Sequence, residues 1–241
     1  TRFHLNPSGG PWGGVAKHLE CFNARVFFSP YGLVETCSTM SWIHFNKQML
    51  RLTGQARFAQ EIEKSAYNEL LAAKFPNGID WSYHSFSNGC RHEANFNDCC
   101  PSSGALALEE LSTLAYSLRD GGIAVNLYSA GEAEINLPKA KKVTVTQETN
   151  YPFEGKITIK VKADKTAEFP LCLRIPDWAE GVSITINNKE VDVASIKAGS
   201  FFKANQKWKK NNTIELDFPM KLRSIRKVEK VEAPQSKYNI Y

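Results

Sequence analysis

The residues best equipped for chemistry are two short runs, Cys99-Cys100-Pro101 and Glu35-Thr36-Cys37, and each stands where helical periodicity begins. A thiolate or carboxylate at a helix N-terminus feels the positive end of the backbone dipole and the unpaired N–H groups, which favour its anionic form. Three thiolates and one carboxylate also make a complete tetrahedral shell for Zn2+, with Zn–S distances of about 2.3 Å. One feature is awkward. Residues i and i+2 face apart in a regular helix, so Glu35 and Cys37 share a metal only if the first turn is irregular or Glu35 precedes it. The spacing also lacks the two-residue gaps of common zinc motifs, and cysteine is often a small buried hydrophobe. Core thiols, or a disulfide to Cys37 or Cys90, are therefore alternatives that the residues leave open; Cys99 and Cys100 are poor partners for each other in an unstrained bridge.

The elements that must position these groups follow from periodicity. Residues 1–34 hold Gly9-Gly10-Pro11-Trp12-Gly13-Gly14 and further prolines, and read as extended loop. Met40, Ile43 and Leu50 predict one helix over Glu35–Leu52, with Gly54 as its stop, and Phe58, Ile62, Ala66, Leu70 and Ala73 predict a second over Gln55–Ala73. Lys74–Asp98 reads as a loop rich in aromatics, Asn and His. A third helix is expected to open at Pro101 and to bury Ala105, Leu108, Leu111, Leu114, Ala115 and Leu118 before Asp120-Gly121-Gly122 ends it. Beyond it the period becomes two, at Ile123, Val125 and Leu127, at Val143 and Val145, and at Ile157, Ile159 and Val161. Further strands are expected at Leu171–Ile175, Ser183–Ile186 and Thr213–Phe218, so the second half reads as an antiparallel β-sandwich. Lys139, Lys141, Lys142 and Lys160 read as solvated strand faces.

Composition agrees with this division. The chain has 241 residues, a net charge of +5 and 42% hydrophobic residues, which excludes general disorder and a dedicated nucleic-acid binder. No apolar run approaches a membrane span. All five His, and Cys21, Cys37, Cys90, Cys99 and Cys100, lie in the first 100 residues, leaving only Cys172 beyond them. Residues 1–120 carry 10 basic and 11 acidic groups, against 20 and 14 in residues 121–241, so the front half reads as chemical and the back half as structural.

Four landmarks together bring a family into view. Glu35-Thr36-Cys37, the Cys99-Cys100-Pro101 helix start, the strand Gly122-Ile123-Ala124-Val125-Asn126-Leu127-Tyr128 and the segment Leu173-Arg174-Ile175-Pro176-Asp177-Trp178-Ala179 resemble the β-L-arabinofuranosidase family of glycoside hydrolases, family 127, with its relative family 146. Trp208 to Met220, ending Leu216-Asp217-Phe218-Pro219-Met220, resembles the closing strand pair of that family's sandwich. The resemblance implies a zinc-dependent retaining glycosidase with a cysteine nucleophile, acting on β-L-arabinofuranosides or related plant-wall sugars. Carried over residue by residue, it implies that Glu35, Cys37, Cys99 and Cys100 hold zinc, that Cys99 attacks the anomeric carbon, and that Glu20 is the acid/base. Around Glu20 the pattern departs from the family's, with His18-Leu19-Glu20-Cys21-Phe22 and Ser29-Pro30-Tyr31 in place of more acidic segments, and the gap to Glu35 is slightly short. Glu93, in the loop leading to Cys99, is the rival acid.

His18, His84 and His92 are candidates to orient sugar hydroxyls or a metal ligand, and Tyr83 and Trp81 to form a sugar platform; ordinary loop hydrogen bonding and half-buried packing are the plainer readings. Cys21 and Cys90 read as buried thiols, His44 as structural, and Asn211-Asn212-Thr213 as a glycosylation sequon without supporting context. The resemblance further implies an α+β multidomain fold: the C-terminal portion of an (α/α)6 barrel over residues 1–120, followed by an antiparallel β-sandwich over 121–241. Only three helices are legible, and Val228–Tyr241 trails off in polar residues, so the chain is expected to be a fragment or a shortened relative of a larger hydrolase. An oligosaccharide or glycoconjugate is the expected partner, with no nucleic acid or membrane, and self-association, if any, as a homodimer. Free thiol ligands favour a reducing bacterial cytoplasm, although zinc would also protect them in a periplasm. A noncatalytic carbohydrate-binding or structural zinc protein of the same descent is the competing function.

Overall fold

The structure is a computed structural model and describes residues 4–14, 32–86, 89 and 91–224. Two compact units divide them: Thr1–Met49, Glu61–Ser112 and Ser224–Tyr241 supply the first, and Leu50–Gln60 with Thr113–Arg223 the second. No described helix is long and apolar enough to cross a membrane.

The first unit contains a four-stranded antiparallel sheet, β1 (Trp12–Gly14), β2 (Gly32–Glu35), β3 (Ser82–Phe86) and β4 (His92–Glu93), in that spatial order. Two stretches expected to be loop therefore pair as strands. Their pairing is antiparallel, with Trp12 opposite Val34 and Glu35 opposite His84. Short strands beside glycines leave too little alternation to read in isolation.

Helix α1 (Thr36–Thr53) follows β2 without a break, α2 spans Ala56–Ser65, a π-helical turn Ala66–Leu70 follows, and α3 is Leu71–Ala73. Within this run Phe58, Ile62, Ala66, Leu70 and Ala73 are all buried, as their spacing requires. The π-turn carries Glu69, which is buried, and burial pushes its carboxyl up to about 8. Ser8 Oγ hydrogen-bonds Glu69 Oε1 and lies 2.6 Å from Asn6 Oδ1, which ties the Asn6–Gly10 loop to this turn.

Helix α4 (Cys99–Leu114) begins two residues before Pro101, so both adjacent cysteines stand in its first turn. Its buried face is Cys100, Ser103, Gly104, Ala107 and Leu114, rotated from the expected stripe, and Ala105 is exposed. Gly104 sets that rotation. A Cβ at Gly104 would meet Trp81 ring atoms at 2.4 Å, so the indole packs on the bare helix backbone. The helix also stops earlier than expected. Asp120 (φ 52°) and Gly121 (φ 75°) form a left-handed turn that folds β5 (Tyr116–Arg119) back on β6 (Gly122–Val125), leaving Leu118 exposed. Asn126, buried beyond β6, donates from Nδ2 to the Leu114 carbonyl at 3.1 Å, satisfying an end-of-helix acceptor.

The second unit holds two sheets. One has the order β13 (Ser200–Trp208), β10 (Ala167–Ile175), β6, β5. The other runs β12 (Lys189–Glu190), β11 (Ser183–Ile186), β14 (Asn212–Asp217), β9 (Lys156–Ala163), β8 (Lys141–Thr149), β7 (Gly131–Leu137). The second sheet alternates cleanly: Val143, Val145, Ile157, Ile159, Val161, Ile214 and Leu216 are buried, while Lys141 and Lys160 are exposed. In contrast to the expected antiparallel pairing throughout, β10 and β6 run parallel, Leu171–Leu173 beside Ile123–Val125. Accordingly every residue of β6, and Leu171 through Ile175 of β10, is buried, the small Ala124 between Ile123 and Val125 included. Trp208 closes this region, stacking on Phe169 with centroids 5.7 Å apart and donating Nε1–H to its carbonyl at 2.8 Å.

Candidate metal centre

The strand-to-helix junction at Glu35 resolves the spacing problem set by the sequence. Glu35 is the last residue of β2 and Thr36 the first of α1, so Glu35 precedes the helix and need not share a helical face with Cys37. Hydroxyls fasten the junction: Thr36 Oγ1 donates to the Ser82 carbonyl at 2.6 Å, and Ser38 Oγ and Thr39 Oγ1 donate to the Glu35 carbonyl at 2.8 and 3.1 Å. Cys37 and the pair Cys99 and Cys100 then meet from the first turns of α1 and α4.

The donor atoms of Glu35, Cys37, Cys99 and Cys100 all lie within 4.8 Å of one another. Cys37 Sγ is 3.0 Å from Cys99 Sγ and 3.4 Å from Cys100 Sγ, and Cys99 Sγ is 4.0 Å from Glu35 Oε1. All three cysteines are free thiols, so the disulfide alternative is not what the structure holds. Exposure is graded, with Cys99 exposed, Cys37 half-buried and Cys100 buried.

The donor set fits zinc. Tetrahedral Zn–S bonds of about 2.3 Å put sulfurs about 3.8 Å apart, so the observed 3.0 and 3.4 Å separations would have to open by about 0.8 and about 0.4 Å, within reach of side-chain rotation. Burial and the neighbouring Cys99 push the Cys37 thiol up to about 11, and burial with Cys37 drives Cys100 higher still. Burial disfavours the Cys37 and Cys100 thiolates, and a divalent cation would reverse that by stabilising the thiolates it binds.

Sequence reasoning did not single out Ser103. Its hydroxyl lies 3.2 Å from Cys37 Sγ. The signal was its place three and four residues after Cys100 and Cys99, on the same helical face. Tyr83, half-buried on β3, turns its carbonyl toward Cys100 Sγ at 3.8 Å. His84 stands opposite Glu35 on one side and His92 on the other, so the three form one row across β2, β3 and β4. His92, exposed on β4, packs edge-on against Phe86 with centroids 5.3 Å apart. Trp81 is buried beneath α4 and offers no sugar platform. Glu93 is exposed on β4. Glu20, His18, Cys21 and Cys90 lie outside the described residues.

Comparison with known proteins bears on both units. The family model described as the β-L-arabinofuranosidase GH127 catalytic domain matches residues 12–113, and that of the GH127 middle domain matches residues 122–220. The chain belongs to glycoside hydrolase family 127. A non-reducing end β-L-arabinofuranosidase of Bifidobacterium longum is 28% identical over 186 residues, covering 68% of this chain and 28% of that protein. Among solved structures, a GH127 β-L-arabinofuranosidase from Geobacillus stearothermophilus T6 superposes with a TM-score of 0.83 at 23% identity, over 94% of this chain and 38% of that one. A second GH127 β-arabinofuranosidase gives a TM-score of 0.80 at 24% identity, over 90% and 37%. The mixed α+β architecture is thus that of the family, and the chain spans well under half the length of these relatives.

Proposed function

We propose that the chain supplies the zinc-thiolate half of a retaining glycoside hydrolase site acting on β-L-arabinofuranosides or related plant-wall sugars. Family membership supports the hydrolase reading, and the observation that carries the site is the convergence of Glu35, Cys37, Cys99 and Cys100 with Cys99 alone exposed. In this reading residues 1–120 form part of an (α/α)6 barrel and residues 121–241 a β-sandwich.

Zinc, when bound, would hold the cluster's sulfurs as thiolates at neutral pH and so supply a nucleophile. Cys99 Sγ, the accessible sulfur, attacks the anomeric carbon and forms a carbon–sulfur bond as the glycosidic carbon–oxygen bond breaks. Glu20 gives its proton to the departing oxygen, then takes one from the water that displaces Cys99, so that the thiolate and the protonated acid are both restored. Glu35, Cys37 and Cys100 hold the sulfur in place, while Tyr83, His92 and His18 contact the sugar.

Mass spectrometry after incubation with a haloacetamide-bearing arabinofuranose mimic tests the assignment. Labelling confined to Cys99, and abolished by Cys99→Ser, is expected. Unlabelled Cys99 at saturating mimic, in a protein that binds zinc, would instead support a noncatalytic zinc protein.

A further inference from the structure

Helices α1 and α4 share an unusual relation. Cys37 Sγ and Ser103 Oγ lie 3.2 Å apart, and two turns further on His44 Nε2 and Glu110 Oε2 lie 2.7 Å apart. Each contact joins residues 66 apart in sequence, so the helices advance side by side, in the same direction and in matched register. Both N-termini therefore point at the thiol cluster. That placement favours anionic sulfur, yet parallel neighbouring helix dipoles repel each other, and the register needs a tie.

We propose that Glu110 is this tie, a positioning residue for the thiol cluster that locks α1 and α4 in the register bringing Cys37 onto Cys99 and Cys100. The inference rests on the metal-centre reading above. Both carboxylate oxygens face α1: Oε1 accepts a hydrogen bond from Lys47 Nζ at 3.1 Å, and Oε2 lies 2.7 Å from His44 Nε2, within ion-pair distance but off hydrogen-bond geometry. Two anchors one turn apart on the same helix resist sliding as well as rotation, which a single pair would not. Glu110 and Lys47 are mostly sheltered, with side-chain exposures of 28% and 23%, so solvent screens this pair less than an ordinary surface pair. The leverage is short: seven residues of helix, about 10 Å, separate the tie from the sulfurs. A slip of one residue shifts a helix by about 1.5 Å, half the Cys37–Cys99 separation, and would take the thiols out of the range in which one ion touches all of them.

Metal binding by the full chain reads this directly. In the wild type, Co2+ should give the near-ultraviolet thiolate charge-transfer band and the intense visible bands of a tetrahedral sulfur site, and Zn2+ affinity is obtained by competition with a chromophoric chelator. Glu110→Gln should lower Zn2+ affinity about fivefold and weaken the visible Co2+ bands, an effect sized on a partly sheltered ion pair. The charge-reversed double variant Lys47→Glu/Glu110→Lys, which rebuilds the Lys47 anchor but not the His44 one, should recover only part of both. Glu134→Gln, which removes the Lys142–Glu134 pair in the second unit, should leave both unchanged and serves as the control for loss of an ordinary ion pair. A wild-type charge-transfer band with affinity and spectrum unaltered in Glu110→Gln would overturn the tie alone. Absence of the band in the wild type would overturn the metal centre, and the tie with it.

Discussion

Glu69 gives the fold a measurable dependence on pH. Buried on the π-turn and bonded to Ser8, its carboxyl is pushed up from the ordinary 4.5 to about 8, and in the unfolded chain it returns to the ordinary value. Between those limits the folded chain holds a proton that the unfolded chain has released. Stability therefore falls as pH rises from about 4.5 to 8, by about 1.4 kcal/mol per pH unit and on the order of 5 kcal/mol across the window, and is level above it. Glu69→Gln keeps the acceptor for Ser8 and removes the titration. Urea unfolding followed by tryptophan fluorescence at pH 5, 6, 7 and 8 should give nearly equal stabilities for the two proteins at pH 5, and a Gln variant more stable by a few kcal/mol at pH 8. Every other titrating group cancels in the difference. A stability difference that is flat from pH 5 to 8 would refute the assignment of a buried neutral carboxyl.

Other perturbations probe the helices that frame the cluster. Gly104→Ala should destabilise the chain by about 1–3 kcal/mol, read as a lowered thermal midpoint, because the added methyl meets the Trp81 ring at 2.4 Å and outweighs the gain in helix propensity. Asn126→Ala should cost about 1–3 kcal/mol in urea unfolding, since the Leu114 carbonyl loses its buried donor. Among the described cysteines of the metal-free protein, iodoacetamide should reach exposed Cys99 first and buried Cys100 and Cys172 last, as read by peptide mass mapping, and added Zn2+ should slow Cys99 at least tenfold.

What could be read from the sequence, and what could not, follows the physics of each element. The second helical run was legible because five apolar residues at three-and-four spacing, Phe58 to Ala73, must share a face, and they do. The candidate ligand quartet was legible from residue chemistry, and the structure supplied what spacing withheld, a strand ending at Glu35 where a helix begins. The end of α4 was misread because Asp120-Gly121 is a hairpin signal as well as a helix stop, and the competing pairing of Tyr116–Arg119 with Gly122–Val125 won. The parallel β6–β10 contact was hidden because the alternation of Ile123 and Val125 marks a strand without saying which way its neighbour runs, and the small Ala124 between them is buried as well. The rotation of α4 depended on Trp81, 23 residues away in sequence, finding a bare backbone at Gly104, a tertiary fit that no local pattern encodes.

Zinc K-edge X-ray absorption on the zinc-loaded chain tests the central claim most directly. The account predicts three sulfur scatterers at about 2.3 Å and one oxygen at about 2.0–2.2 Å, with one sulfur lost in each of Cys37→Ser, Cys99→Ser and Cys100→Ser. A shell of nitrogen and oxygen alone, or a sulfur count that any of these substitutions leaves unchanged, would contradict it.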